Sequence, residues 1–185
     1  MKEFVKEITS WNNHRPLLFL ALEETEKGNV IEMGCGDGST QVLHDYCKAA
    51  KRKLISMDSN KEYIDKYEEL KNAKHKFLLV ENWEEAVDEN IKGATVVLID
   101  HAPGEDRGFR LKQLEGFKGI VVCHDSEPSP CGGNYGWDFT KWKHVVHVKS
   151  PMNGDTNGTW ATAVSNSHNI SEWAGKTLEG IEISK

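Results

Sequence analysis

Polar side chains in this sequence collect at the ends of short apolar runs, the places where groups able to hold a ligand or move a proton would stand together. The first such place is Gly34-Cys35-Gly36-Asp37-Gly38-Ser39-Thr40, directly after Val30-Ile31-Glu32-Met33. Glycine allows positive φ and close backbone approach, and a loop that opens a helix turns several N–H groups toward a ligand. The second is Asp58, which closes Leu54-Ile55-Ser56-Met57 and is followed by Ser59. In a doubly wound sheet, an acid there faces ribose hydroxyls. The third is Asn82, after Phe77-Leu78-Leu79-Val80, suited to capping a helix or to facing an adenine-sized ring.

Proton-moving candidates follow the next two runs. Asp100-His101 ends Val96-Val97-Leu98-Ile99, and His124-Asp125-Ser126-Glu127 ends Ile120-Val121-Val122-Cys123. An imidazole titrates near ~6.5, so His101 is the first candidate for a general base, with Asp100 beside it. A histidine bonded within its own loop is the competing reading. Asp100, Asp125 and either His124 or Ser126 also form a set of hard ligands for a Mg2+-like ion, and a histidine ligand widens the choice to Mn2+ or Zn2+. The alternative is that these residues cap helices and hydrogen-bond a ligand. His44, His75, His144, His147 and His168 have no partner pattern and read as structural or solvated.

These residues need a frame to bring them together. The five apolar runs are short and rich in β-branched residues, as in strands buried on both faces of a parallel sheet. Helical patterns separate them. Val42, Leu43, Tyr46, Cys47 and Ala50 form a stripe after Ser39; Ser59 and Glu62 have capping-box spacing before Tyr63, Ile64, Tyr67 and Leu70; Asn82 and Glu85 have the same offset before Trp83, Ala86 and Val87. Arg110–Phe117 is a shorter candidate. Strand alternating with helix means βαβ units in an α/β sandwich. Residues 126–140 and 150–159 read as loops, and 145–148 and 159–164 as an antiparallel hairpin. Phe4, Val5 and Ile8, then Pro16 to Leu22, read as helix before the first strand.

Composition sets outer bounds. The chain has 185 residues, 38% hydrophobic and 28% charged, which fits one globular domain. It divides into an N-terminal helical segment (1–27), a βα core (28–125), a lid loop (126–140) and a closing hairpin and tail (141–185). The net charge of −6 and the absence of any basic run longer than Lys51-Arg52-Lys53 argue against nucleic acid or an anionic membrane as partner. The longest early apolar run, Leu17 to Leu22, is too short for a signal or a span. A cytoplasmic protein is expected, with Cys35, Cys47, Cys123 and Cys131 as reduced thiols.

The stretch Val-Ile-Glu-Met-Gly-Cys-Gly-Asp-Gly-Ser-Thr resembles motif I of class I S-adenosylmethionine-dependent methyltransferases, and the likeness extends over residues 28–165 through Asp58 and the Asp100-His101 and His124-Asp125 strand ends. It implies a three-layer, doubly wound, mostly parallel seven-stranded sheet of order 3-2-1-4-5-7-6 with a C-terminal antiparallel hairpin. It implies S-adenosylmethionine held by Glu32, Gly34, Cys35, Gly36, Ser39, Thr40, Asp58, Ser59, Asn82, Asp100 and His101, with Glu32 supporting the loop and the amino group. Carboxylates at Glu32, Asp37, Asp58, Asp100 and Asp125 suit a cationic sulfonium, whereas no Lys or Arg stands in the loop to meet a phosphate.

The implied reaction is methyl transfer to a small-molecule acceptor, with a hydroxyl as the favoured nucleophile. The two later strand ends look like the metal site of catechol-type and sugar or antibiotic O-methyltransferases, with Asp100, His124 and Asp125 as ligands of Mg2+ or another divalent cation. They depart from it in offering His-Asp or Asp-Ser as the pair and no lysine after Asp100-His101. So few residues lie outside the core that either the acceptor is compact or a second copy, in a homodimer, completes its site. His14-Arg15-Pro16 could reach over the cofactor, and Tyr135 and Trp137 could wall the acceptor. Three rivals stay open. A nicotinamide-dependent oxidoreductase would need glycine where Ser39 stands; a catalytically inactive binding module would keep the pocket alone; and a methyltransferase of protein or nucleic acid would act on a larger acceptor.

Overall fold

A computed structural model describes residues 8–128, 135–152, 155–178 and 180–185. Five parallel strands come first: β1 (Asn29–Met33), β2 (Leu54–Asp58), β3 (His75–Leu79), β4 (Ala94–Ile99) and β5 (Ile120–His124). Helices α1 (Arg15–Thr25), α2 (Thr40–Ala49), α3 (Lys61–Lys66), α4 (Trp83–Asn90) and α5 (Arg107–Gln113) precede or separate them. Then β6 (His144–Met152), β7 (Asp155–Ser165), β8 (Thr177–Leu178) and β9 (Ile181–Ser184) add antiparallel pairings. The order across the sheet is β3-β2-β1-β4-β5-β7-β6-β9-β8. The expected seven-strand order is present, and two short strands at 177–178 and 181–184 extend it to nine.

Alternation along each strand assigns side chains to two layers. Val30, Leu54, Val96, Leu98, Ile120 and Val122 pack with Leu17, Leu18 and Leu22 of α1 and Leu43 and Cys47 of α2. Ile31, Met33, Met57, Val97, Ile99 and Val121 face the other way, against Trp83 and Val87 of α4 and Leu111 and Leu114 of α5 and its end. Each such aliphatic side chain contributes about 1.5–3 kcal/mol on full burial. This double-sided burial fixes the strand register, and so the depth at which each strand ends.

Several elements differ from expectation. β3 lies at the sheet edge and is only half covered, with Leu79 exposed. The stripe Tyr63, Ile64, Tyr67 and Leu70 does not form one helix: α3 stops at Lys66 and buries no residue, and Glu68–Leu70 is a separate 3-10 turn. Its cap is Asn60, whose side chain accepts from the Glu62 N–H, rather than Ser59. Residues 150–152 and 155–159, expected as loop, belong to β6 and β7, with a register shift between Ser150 and Met152 beside Pro151, which lacks an N–H for the ladder. Residues 9–14 form turns ahead of α1, and Phe4 and Val5 lie outside the described residues. So do residues 129–134 of the expected lid, including Cys131. Cys35, Cys47 and Cys123 are free, buried thiols. Among the described residues, no helix is long and apolar enough to cross a membrane.

Candidate functional site

Because β1, β2, β4 and β5 run parallel, their carboxyl ends open on one edge of the sheet, where doubly wound folds bind ligands. A crevice of about 680 Å3 lies there, between Gly34–Gly38 on one side and Asp58, Asp100, Arg107, His124 and Asp125 on others, with Trp11 at its rim. The glycine loop is stitched to the sheet by Gly34 N–H to Met57 O (2.8 Å) and Asp100 N–H to Met33 O (2.7 Å). Gly34 has φ +97°, and a Cβ there would strike the main-chain carbonyl of Asp100. Gly36 is the opposite case: among the described residues, a Cβ on it would meet nothing within 4 Å. One glycine closes the turn; the other leaves the crevice floor bare.

Beneath the loop lies Glu32, fully buried. It accepts from Ser39 Oγ (2.5 Å), Thr40 Oγ1 (2.9 Å) and Ser56 Oγ (2.5 Å), and Thr40 Oγ1 in turn accepts from the Gly36 N–H (2.9 Å). Burial pushes the Glu32 carboxyl up to about 7, against the three hydroxyl donors that favour its charge. Glu32, Ser39 and Thr40 therefore hold the loop from behind rather than lining the crevice. Ser39 occupies the N-cap position of α2, but its hydroxyl goes to Glu32 and caps nothing.

Asp58 does line the crevice. Its carboxylate accepts from the Cys35 N–H and the Asn60 N–H, both at 2.8 Å, and burial raises its pKa despite those bonds. The Ser59 main chain also donates toward it, and since a carboxylate has about four lone-pair positions, at least one remains for a ligand. Ser59 is exposed, with its hydroxyl on Ala102 O (3.3 Å). Asn82 caps α4, accepting from the Glu84 and Glu85 N–H groups, so of its two expected uses this is the one its side chain makes.

The ends of β4 and β5 form one charged cluster. His124 Nδ1 stands 3.0 Å from Asp100 Oδ1, and its Nε2 lies 3.2 Å from Ser10 O and 3.6 Å from Asp125 Oδ1. Burial pulls the imidazole pKa down, but the Asp100 charge and hydrogen bond, with Asp125, outweigh it and hold His124 up at about 9. Burial likewise opposes ionisation of Asp100, and His124 and Arg107 overcome it, leaving its carboxyl below the ordinary range.

Arg107, at the start of α5, binds across the cluster. It reaches Asp100 Oδ1 (3.0 Å), Asp125 Oδ2 (2.9 Å), His101 O (2.8 Å) and Asp100 O (3.1 Å), and the Tyr135 ring covers its guanidinium at 4.9 Å. Asp125 adopts φ +50°, an uncommon conformation for a residue with a Cβ. The expected ligand set Asp100, His124 and Asp125 does converge, but a guanidinium already bridges its two carboxylates. Ser126, the alternative ligand, is turned away and pairs with Thr162.

His101 is not at the crevice. Its ring is buried and stacked on Trp83 (centroids 4.2 Å), and burial lowers its pKa to about 4. The geometry gives it no access to an acceptor. Arg15 ties the N-terminal segment to the loop through Gly38 O (2.6 Å) and Asp37 O (3.0 Å) rather than reaching over a ligand. Tyr135 packs on Arg107, and Trp137 donates to Asp125 O (2.9 Å), so both brace the cluster from outside. Sequence reasoning missed Arg107, and it expected His14, with Arg15 and Pro16, to reach over the cofactor, whereas the His14 ring is fully buried. The one signal for Arg107 was the pair of strand-end acids, which need a counter-charge.

No family model matches the chain, and no curated protein sequence does. Solved structures do. Spermidine synthase from Thermotoga maritima superposes with a TM-score of 0.62 at 15% identity, over 89% of this chain and 63% of that one. The SAH-bound Podospora anserina methyltransferase PaMTH1 gives 0.57 at 12%, over 82% and 76%. The methyltransferase domain of bacterial CtHen1 gives 0.54 at 13%, over 84% and 99%. The fold is the class I methyltransferase fold. At these identities the likeness speaks for the fold alone, and the chain spans under two thirds of the spermidine synthase.

Proposed function

We propose that this protein is an S-adenosylmethionine-dependent methyltransferase acting on a small molecule, with a hydroxyl as the favoured acceptor. The observation that carries the reading is the bare loop surface at Gly36 together with the Asp58 carboxylate, which keeps an accepting position, at the carboxyl edge of the sheet. The residues present fit the cofactor. The glycine backbone accepts close approach, and Asp58 has an accepting position for a ribose hydroxyl. Of the crevice carboxylates, Asp100 and Asp125 are already balanced by Arg107 and His124, which leaves Asp58 to offset a positive sulfur. When bound, that cofactor supplies an electrophilic methyl group to a nucleophile in line with its leaving sulfur.

What the chain itself contributes is placement and proton handling. The loop and Asp58 fix one partner. His124, held up at about 9, already carries its proton, so of the hydrogen-bonded pair it is the ionised Asp100 carboxylate that can accept from an acceptor hydroxyl. Arg107 holds Asp100 from the far side and keeps its carboxylate oriented. His101 has no part in this. Arg107 bridges Asp100 and Asp125, two of the expected metal ligands, so no cation is required to gather them.

The test is calorimetry with S-adenosylhomocysteine, followed by transfer of labelled methyl to a panel of hydroxyl, amine and thiol acceptors. Binding with transfer to a hydroxyl member supports the reading. Binding of NADH in its place would support the oxidoreductase, and binding without transfer to any acceptor class would leave a cofactor-binding module.

A further inference from the structure

Behind the crevice stands His14, just before α1, fully buried against the cluster. Among the described residues, neither of its ring nitrogens has a partner that meets hydrogen-bond geometry, the Gly38 main chain being the polar group that bears on it. Its ring meets that of His124 edge-on, with centroids 4.7 Å apart. A buried polar atom without a partner calls for a water or an ion. Two observations then coincide, because His14, Asp100 and His124 each offer one ligand atom, and the three atoms lie within 4.8 Å of one another.

We propose that His14, Asp100 and His124 bind one divalent transition-metal ion of the Zn2+ or Co2+ class at the base of the crevice. Two imidazole nitrogens and one carboxylate oxygen suit such an ion better than Mg2+, which prefers an all-oxygen shell with several waters. Three protein ligands also leave a position open, as at reactive zinc sites, and Asp100 and His124 face the crevice. His124 is already set for the task. Its Nε2 lies against Ser10 O, which directs Nδ1 toward Asp100, the usual way a second partner orients a metal-binding imidazole. Bonds of about 2.0–2.2 Å need ligand atoms roughly 3.3 Å apart. The Asp100–His124 pair meets this at 3.0 Å, and His14 has only to swing inward. Binding exchanges the proton between His124 and Asp100 for the ion and releases it to solvent. Asp125 stands outside this three-atom group, and because Arg107 also touches Asp100 Oδ1 (3.0 Å), binding uses the second Asp100 oxygen or displaces that contact.

The proposal does not depend on the methyl-transfer reading, and its test uses no cofactor. The full-length protein, stripped with a chelator, is titrated with Co2+ and followed by visible absorption and calorimetry. The expected result is one ion per chain with a d–d band. His14→Phe, which keeps the ring, and Asp100→Asn should each abolish the band or weaken binding at least 100-fold, while Asp125→Asn retains one ion per chain. No stoichiometric uptake by the wild-type protein overturns the proposal, as does retention by His14→Phe with loss in Asp125→Asn. Should His14→Phe not fold, NMR of the wild-type protein decides. Zn2+ must shift the resonances of two of the eight histidines, and a shift of none refutes the site.

Discussion

Gly34 and Gly36, two residues apart in one loop, should respond to alanine in opposite ways. At Gly34 the backbone has φ +97°, and a Cβ would collide with a main-chain carbonyl that cannot move without pulling β4. A residue with a Cβ costs about 1–3 kcal/mol at such φ, and overpacking against backbone about 1–3 more. Taking about 3 kcal/mol, and about 2–4 °C per kcal/mol for a domain of this size, Gly34→Ala should lower the melting temperature by about 6–12 °C. At Gly36 there is open space and no positive φ. Alanine there restricts the unfolded chain and should leave stability unchanged or raise it by about 0.4–1 kcal/mol. Its methyl, however, projects into the crevice, and a tight overlap of about 1–3 kcal/mol weakens S-adenosylhomocysteine roughly 5–150-fold. Gly36→Leu should block binding. Differential scanning fluorimetry and calorimetry on the three variants read both effects. Wild-type affinity in a folded Gly36→Leu protein would refute the placement of the ligand on this loop.

Asp58→Ala should weaken S-adenosylhomocysteine by about 1.5–3 kcal/mol, the range for charged hydrogen bonds, read as a 10–150-fold rise in dissociation constant by calorimetry. Arg107→Met leaves two mostly buried carboxylates without their counter-charge; loss of about 3 kcal/mol, seen as a melting point about 6–12 °C lower, is expected, and an unchanged melt would contradict the bridging role. Glu32 has a folded pKa of about 7, above the ordinary 4.5, so the native state holds its proton more tightly than the unfolded one. Its contribution therefore favours folding below about pH 4.5 and is lost as pH rises to about 7, by up to about 3 kcal/mol. His75 and His101, whose pKa values fall to about 4, slope the other way over a similar range. The wild-type minus Glu32→Gln difference in denaturation free energy isolates the Glu32 part, and a flat difference between pH 4.5 and 7 would refute it.

How far the sequence carried depended on how local each signal was. β1, β4 and β5 are buried on both faces, so their apolar runs stood out at once; β8 and β9 have few buried side chains, Ile183 chief among them, and left no run to read. The Tyr63-Ile64-Tyr67-Leu70 stripe has helical spacing, yet Tyr63 is half exposed at the crevice, and the tyrosine of Tyr67 instead donates to Asp37. At the site, the loop and the strand-end acids were visible because backbone geometry alone places them. The proton-transfer assignment was not. Which way a histidine ring turns depends on partners distant in the chain: Trp83 draws His101 away from the crevice, and Ser10 and Asp100 hold His124 at it. Arg107 and His14 carry no motif, and only the folded cluster shows what they touch.

The central claim is tested most directly by a crystal structure of the protein grown with S-adenosylhomocysteine. The prediction is density along Gly34–Gly38, with the ribose hydroxyls on Asp58 and the sulfur directed toward Asp100 and His124. A crevice filled by the chain's own side chains, or the ligand bound elsewhere on the molecule, would contradict it.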